Sequence, residues 1–176
     1  MQSAELRAIF EKSPTVRAMA AKMQQLDGGT ALYAEGLSGS AAPAMLSGVP
    51  ANISEPRLFL VVMNDANEAG YFYGDLAALL GGEQVLYYPS PYRRGVKYAQ
   101  IDSGNEILRT DVLSRLSTEP PLFIVTYPEA LAVKVVTRDN LEEKILTVRT
   151  GEELDFANME LVLFNLGFRH VDYVYE

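Results

Sequence analysis

The residue types best suited to chemistry fall in one short stretch, Ala34-Glu35-Gly36-Leu37-Ser38-Gly39-Ser40-Ala41-Ala42-Pro43-Ala44-Met45-Leu46. Residues 30–35 read as a brief strand, followed by a glycine-bearing loop and a helix start, the setting of the phosphate-binding pattern G-x-x-x-x-G-K-[ST]. Registered from Gly36, the last glycine of that pattern falls on Ala41, the lysine on Ala42 and the hydroxyl residue on Pro43. Ala42 brings no charge to a β- or γ-phosphate. Pro43 has neither a hydroxyl for magnesium nor an N–H for an anion, and the Ala41 methyl crowds the backbone approach. This loop is not expected to bind ATP, and no cofactor is expected. Two readings of Gly36, Gly39 and Ser40 stay open: a plain strand-to-helix turn, or the atypical loop of a small α/β NTPase or phosphate-binding enzyme.

A second constellation interleaves aromatic rings with positive charge: Tyr87, Tyr88, Tyr92, Arg93, Arg94, Lys97 and Tyr98. Such a segment can stack bases and hold phosphates, which makes Tyr88, Tyr92, Arg93, Arg94 and Lys97 candidate nucleic-acid contacts. An ordinary surface loop whose tyrosines pack on the domain is the competing reading. His170 is the only histidine, so a metal site built on paired histidines is excluded, and its place beside Asp172 suits a hydrogen-bonded strand residue. Arg169 next to it is a candidate for a partner surface. The carboxylates Glu142-Glu143 and Glu152-Glu153-Asp155 are neighbours in connectors and do not face one another as an acid/base pair must. Asp111 and Arg115 make a helical i,i+4 pair worth only a few tenths of a kcal/mol. Neither catalytic residues nor metal ligands are expected.

The composition limits what these residues can serve. Of 176 residues, 48% are apolar and 22% charged, the balance of a globular chain able to bury a core, so function must reside in local sites. A net charge of −8 disfavours autonomous nucleic-acid binding, which needs a surplus of Lys and Arg on one face. With no cysteine, disulfides and thiolate chemistry are excluded, and a cytoplasmic setting is expected. No apolar stretch approaches the roughly 20 residues of a membrane span. The first residues mix Glu5, Arg7, Glu11 and Lys12 among apolar ones, unlike a signal peptide or anchor.

Positioning these groups falls to alternating elements. Leu6, Ile9, Phe10, Val16, Met19, Ala20 and Met23 recur at helical spacing, broken at Ser13-Pro14, and predict two short helices within residues 1–29. Residues 57–63 form an apolar strand-like run, Asn64-Asp65 caps a helix ending at Gly81-Gly82, and residues 84–88 make the next strand. A helix over residues 102–116 should turn Leu108, Val112, Leu113 and Leu116 inward, before a strand at residues 122–126 and a helix opened by Pro128. Strands separated by helices cannot pair as tight hairpins, so an α/β parallel sheet flanked by helices is expected over residues 30–137. Residues 138–176 begin a second, small α+β unit: strands at 144–149 and 170–175 flank a helix with Asp155 as N-cap, Phe156, Met159, Leu163 and Leu166 on one face, and Gly167 as its stop. Two strands and one helix make a poor core, and this unit is expected to be incomplete at Glu176.

Several segments resemble, in the same order, the N-terminal region of the bacterial transcription-repair coupling factor (Mfd) family, itself similar to the excision-repair helicase subunit UvrB. Gly36-Leu-Ser-Gly-Ser-Ala-Ala-Pro43 is similar to that family's decayed counterpart of the UvrB phosphate-binding loop. Tyr87-Tyr88-Pro89, the helix around Ser114-Arg115-Leu116, and Leu122-Phe-Ile-Val-Thr-Tyr-Pro-Glu-Ala-Leu131 resemble both families, and Gly167-Phe-Arg-His-Val-Asp172 resembles a Gly-Tyr-Arg-His-Val-Asp stretch of the coupling factors. The resemblance implies a RecA-like fold that has lost its nucleotide site, followed by the start of a UvrA-binding unit. It also implies a non-catalytic module, within an ATP-dependent DNA translocase, that recruits UvrA to nucleotide excision repair. RNA polymerase and DNA would be engaged by other regions of such a protein, as would the main UvrA contacts. The Tyr88 to Lys97 segment would be a shortened remnant of the hairpin with which UvrB grips DNA.

Overall fold

The computed structural model describes residues 3–26, 29–92, 100–120, 122–135 and 155–165, together with single positions 137, 148, 150, 151, 153 and 168. The chain divides into two compact units, Met1–Lys134 and Val135–Glu176.

In the first unit, α1 (Ser3–Lys12) and α2 (Pro14–Gln24) break at Ser13, because Pro14 has no N–H to continue a preceding helix and suits the first position of a new one. Val16 and Ala20 of α2 are buried with Val49, and Phe10, Met19, Met23 and Met45 close around them. A short helix α3 (Ala41–Ser47) ends at Gly48, where a side chain is excluded: a Cβ there would lie 2.8 Å from the Phe10 carbonyl carbon. Asn52 then ties the two segments, its Nδ2 donating to the Glu11 carbonyl at 2.9 Å and the Gly48 carbonyl at 2.8 Å.

Three strands, β1 (Phe59–Val62), β2 (Val85–Tyr87) and β3 (Phe123–Thr126), form a parallel sheet in the order β1-β3-β2. Phe59 is in register with Phe123, and Val85 pairs with Phe123 from the other side. The central strand is buried throughout, as its unbroken apolar run Phe123-Ile-Val125 requires when both faces are covered. Between β1 and β2 runs α4 (Ala66–Leu80), whose Ala69, Phe72, Leu76 and Leu80 repeat every three or four residues and are buried against the sheet. It stops at Gly81, whose φ of +95° favours glycine. The return to β3 is made by α5 (Ser103–Thr118), and a single turn, α6 (Pro128–Leu131), follows β3. This is a mixed α/β fold with a small parallel sheet flanked by helices.

Two expectations for this unit are corrected. Residues 30–35 do not form a strand: they are exposed and pair with no described strand, Tyr33 being 85% exposed. Strand-like composition forms a strand only where a neighbouring strand runs alongside, and no described strand does so here. The inward face of α5 also differs. Leu108 and Leu116 are each 40% exposed, while Arg109 and Val112 are buried and Leu113 is half-buried. Reading apolar spacing alone passed over Arg109, a cation that finds carbonyl partners inside. Arg115 likewise directs its Nη2 to the Glu83 carbonyl at 2.6 Å.

In the second unit, α7 (Phe156–Asn165) is capped as anticipated: Asp155 Oδ1 accepts from the amides of Ala157 at 3.1 Å and Asn158 at 3.3 Å. Met159, Val162 and Leu163 are half-buried, whereas Phe156, expected on the inner face, is 72% exposed. The strands expected at 144–149 and 170–175 lie outside the described residues except Val148, which is in no regular element; Gly167, Arg169 and His170 also lie outside them. No helix among the described residues is long and apolar enough to cross a membrane.

Candidate functional site

Candidate ligand places in the first unit include the Gly36 loop and the carboxyl edge of the sheet. At the first, Gly36 and Gly39 take φ of +79° and +55°, left-handed values that explain both glycines as turn residues. Gly36 to Ser40 are exposed, Ala41 and Ala42 half-buried, and Pro43 buried. Ser40 precedes α3 without a side-chain capping bond. The Ala41 amide donates to the Ser38 carbonyl at 3.2 Å and the Ala44 amide to the Ser40 carbonyl at 3.1 Å, so both amides are engaged within the turn. No described strand precedes this loop.

The carboxyl edge is built differently. Here β1, β2 and β3 all release the chain into loops or helix starts, the place where open α/β sheets bind ligands. A cleft of about 820 Å³ is lined by Asp65, Ala66 and Asn67 after β1, by Tyr87, Pro89, Ser90 and Tyr92 from β2 onward, by Asp102 and Asn105 at the start of α5, and by Tyr127 and Glu129 after β3. Asp65 Oδ1 caps α4, accepting from the amides of Asn67 at 2.7 Å and Glu68 at 3.0 Å; Asp102 caps α5 through the Asn105 amide at 3.2 Å. The loops are cross-tied. Tyr127 Oη accepts from the Ser90 amide at 2.8 Å, Asn105 Nδ2 donates to the Ser90 carbonyl at 2.9 Å, and Thr126 Oγ1 donates to the Tyr88 carbonyl at 2.8 Å.

Beneath this cleft lies Arg109. Its Nη1 donates to the carbonyls of Pro89 at 2.7 Å and Ala130 at 3.2 Å, clamping the loop after β2 to the turn after β3. Its guanidinium also stands 4.2 Å from the centre of the Tyr88 ring. Burial pushes the Tyr88 phenol above its ordinary pKa, and the nearby Arg109 charge offsets part of that rise. Tyr88 is thus a core residue at 7% exposure, out of reach of a stacked base, while Tyr92 lines the cleft at 40% exposure. Arg93, Arg94 and Lys97 lie outside the described residues. The sequence signal that could have exposed the clamp was the single cation in the middle of an otherwise inward-facing helical stripe.

The described lining of the cleft carries three carboxylates, Asp65, Asp102 and Glu129, and no lysine or arginine. These carboxylates place negative charge along the described wall, beside tyrosine rings and amide side chains. Among the described residues no group of acidic or histidine side chains is arranged to hold a metal ion. In comparisons with known proteins, neither a family model nor a curated protein matches the chain.

Proposed function

We propose that this chain is a non-catalytic interaction module: the N-terminal, UvrB-like part of a transcription-repair coupling factor, with a RecA-like sheet that no longer handles nucleotide. Its role would be to help recruit UvrA to nucleotide excision repair, within a protein whose other regions translocate on DNA and displace stalled RNA polymerase. The observation that carries the nucleotide-free part of this reading is the state of residues 36–43. Where a phosphate loop presents a lysine, a hydroxyl and free amides, this one has Ala42, the buried Pro43, and an Ala41 amide already bonded to Ser38. The acidic lining of the carboxyl-edge cleft supports the same view, because it places like charge where phosphates would bind. The repair role rests on the resemblance of the segments around Gly36, Tyr87, Ser114, Leu122 and Gly167.

Because the main UvrA contacts are expected in other regions, purified UvrA should be retained above a mock resin by the immobilised full-length protein of this reading and less so once residues 1–176 are deleted; retention unchanged by the deletion would remove the repair assignment. The competing reading, a small α/β NTPase using Gly36, Gly39 and Ser40, predicts thermal stabilisation by ATP and magnesium. Ligand at 100 times its Kd stabilises by about 2.7 kcal/mol. The module reading expects no shift, and a saturable one would overturn it.

A further inference from the structure

We infer that the groove between α2 and residues 32–37 docks an amphipathic helix of a partner protein. About two turns of that helix seat an apolar stripe, flanked by acidic residues toward α2 and by basic residues on the opposite side. This goes beyond the proposed repair role and does not depend on it.

Val16 and Ala20 of α2 turn into the core, whereas Thr15, Ala18, Met19 and Lys22, spaced three and four residues apart, line a groove of about 380 Å³. The other wall is extended chain, where Leu32, Tyr33 and Leu37 border the groove at 42%, 85% and 39% exposure. Met19 and Met45 also line it while packing against the buried Val16 cluster, so they form its floor. Their unbranched thioether side chains can reshape around the side chains of a partner.

Apolar walls on both sides call for an apolar occupant, and α2 decides its form. The backbone groups inside α2 are bonded within the helix, so an extended occupant finds no backbone partner along that wall. A helix brings its own backbone bonds satisfied and presents an apolar stripe. From Thr15 to Lys22 the groove follows α2 for about 10 Å, at 1.5 Å per residue, which is about two turns of a partner helix. Charge selects the flanks. Lys22 stands on the α2 wall and Glu35 on the extended wall; both are exposed, and neither side chain has a hydrogen bond or ion pair among the described residues. A stripe edged by carboxylates toward Lys22 and by ammonium groups toward Glu35 is matched on both walls.

The test is fluorescence anisotropy of the whole chain with a labelled peptide, acetyl-Ala-Lys-Leu-Glu-Ala-Leu-Leu-Glu-Lys-Leu-Glu-Ala-Lys-Ala-amide. As a helix its leucines form one stripe between a glutamate flank and a lysine flank. Saturable binding is expected, weakened at least about tenfold by Ala18→Lys or Leu37→Lys, and unchanged by Ile107→Lys on α5. Circular dichroism melts check that each variant remains folded. A second peptide with lysine on both flanks should bind Lys22→Glu at least about threefold more tightly than the parent, because both walls are then acidic. Proline at the eighth position of the first peptide breaks its helix and should abolish binding. Undiminished binding of the proline peptide, binding undiminished by Ala18→Lys, no preference of the lysine-flanked peptide for Lys22→Glu, or no saturable binding would each overturn the inference. So would self-association in sedimentation velocity that Ala18→Lys abolishes, which would make a second copy the occupant.

Discussion

The chain enters a helix from an extended segment at two comparable places, residues 30–41 and residues 59–66, and only the second has become a working junction. After β1, Asp65 satisfies two amides of α4, and that helix runs 15 residues with a buried face along the sheet. After residues 30–35 no strand has formed, Ser40 makes no capping bond, and α3 lasts 7 residues. Glycines at Gly36 and Gly39 supply the turn in the first case, yet turn geometry alone does not create a ligand site. What organises the carboxyl edge is long-range: Arg109 and Tyr127 tie loops some 20 to 40 residues apart in sequence. The lesson is that a local pattern resembling a phosphate loop carries less structural weight than one buried cation with matched partners.

That contrast can be broken experimentally. Arg109→Met should cost the most, about 3 kcal/mol in urea denaturation, because it removes charge-assisted bonds and leaves buried carbonyls of Pro89 and Ala130 without a donor. Stability within error of the parent would mean that the clamp is not what holds the edge. Gly48→Ala should cost about 2 kcal/mol by driving a methyl into the Phe10 backbone, so that α3 depends on its far end rather than on the Gly36 loop.

The paired substitutions Asp65→Ala and Ser40→Ala compare the junctions directly. The first should lose about 1 kcal/mol and the second less than about 0.5, and equal losses would erase the distinction. The smallest effect is expected at alkaline pH. Tyr88 has a folded pKa above the ordinary 10.0, chiefly through burial, so the unfolded chain releases the proton first. This contribution is intact below that pH and is lost as pH rises through the folded value. Tyr88→Phe should therefore show a shallower fall in Tm above pH 10 than the parent, and parallel curves would place Tyr88 outside the coupling.

Much of the fold was legible because it rests on short-range rules. The break at Pro14, the Asp65 and Asp155 caps, the stop at Gly81 and the inward face of α4 follow from backbone chemistry and helical spacing. The site was less so. Tyr88 and Tyr92 belong to one aromatic run, but Arg109, 21 residues beyond Tyr88, decides that the first is core; Tyr92 lines the cleft. The cleft itself gathers residues from four separate segments, and no spacing in the chain announces it.

By itself, then, the sequence determined the helices, the turns, the alternation that calls for a parallel sheet, and the loss of phosphate-binding groups at Ala41, Ala42 and Pro43, all of which depend on side-chain type and near neighbours. Only the tertiary structure decided that residues 30–35 join no described strand, that Arg109 turns inward to hold the carboxyl edge, and that Leu58, Leu60 and Val62 beside the sheet stay exposed. Strand pairing and burial of a charge depend on which distant groups supply hydrogen-bond partners, and that information lies between segments rather than within them.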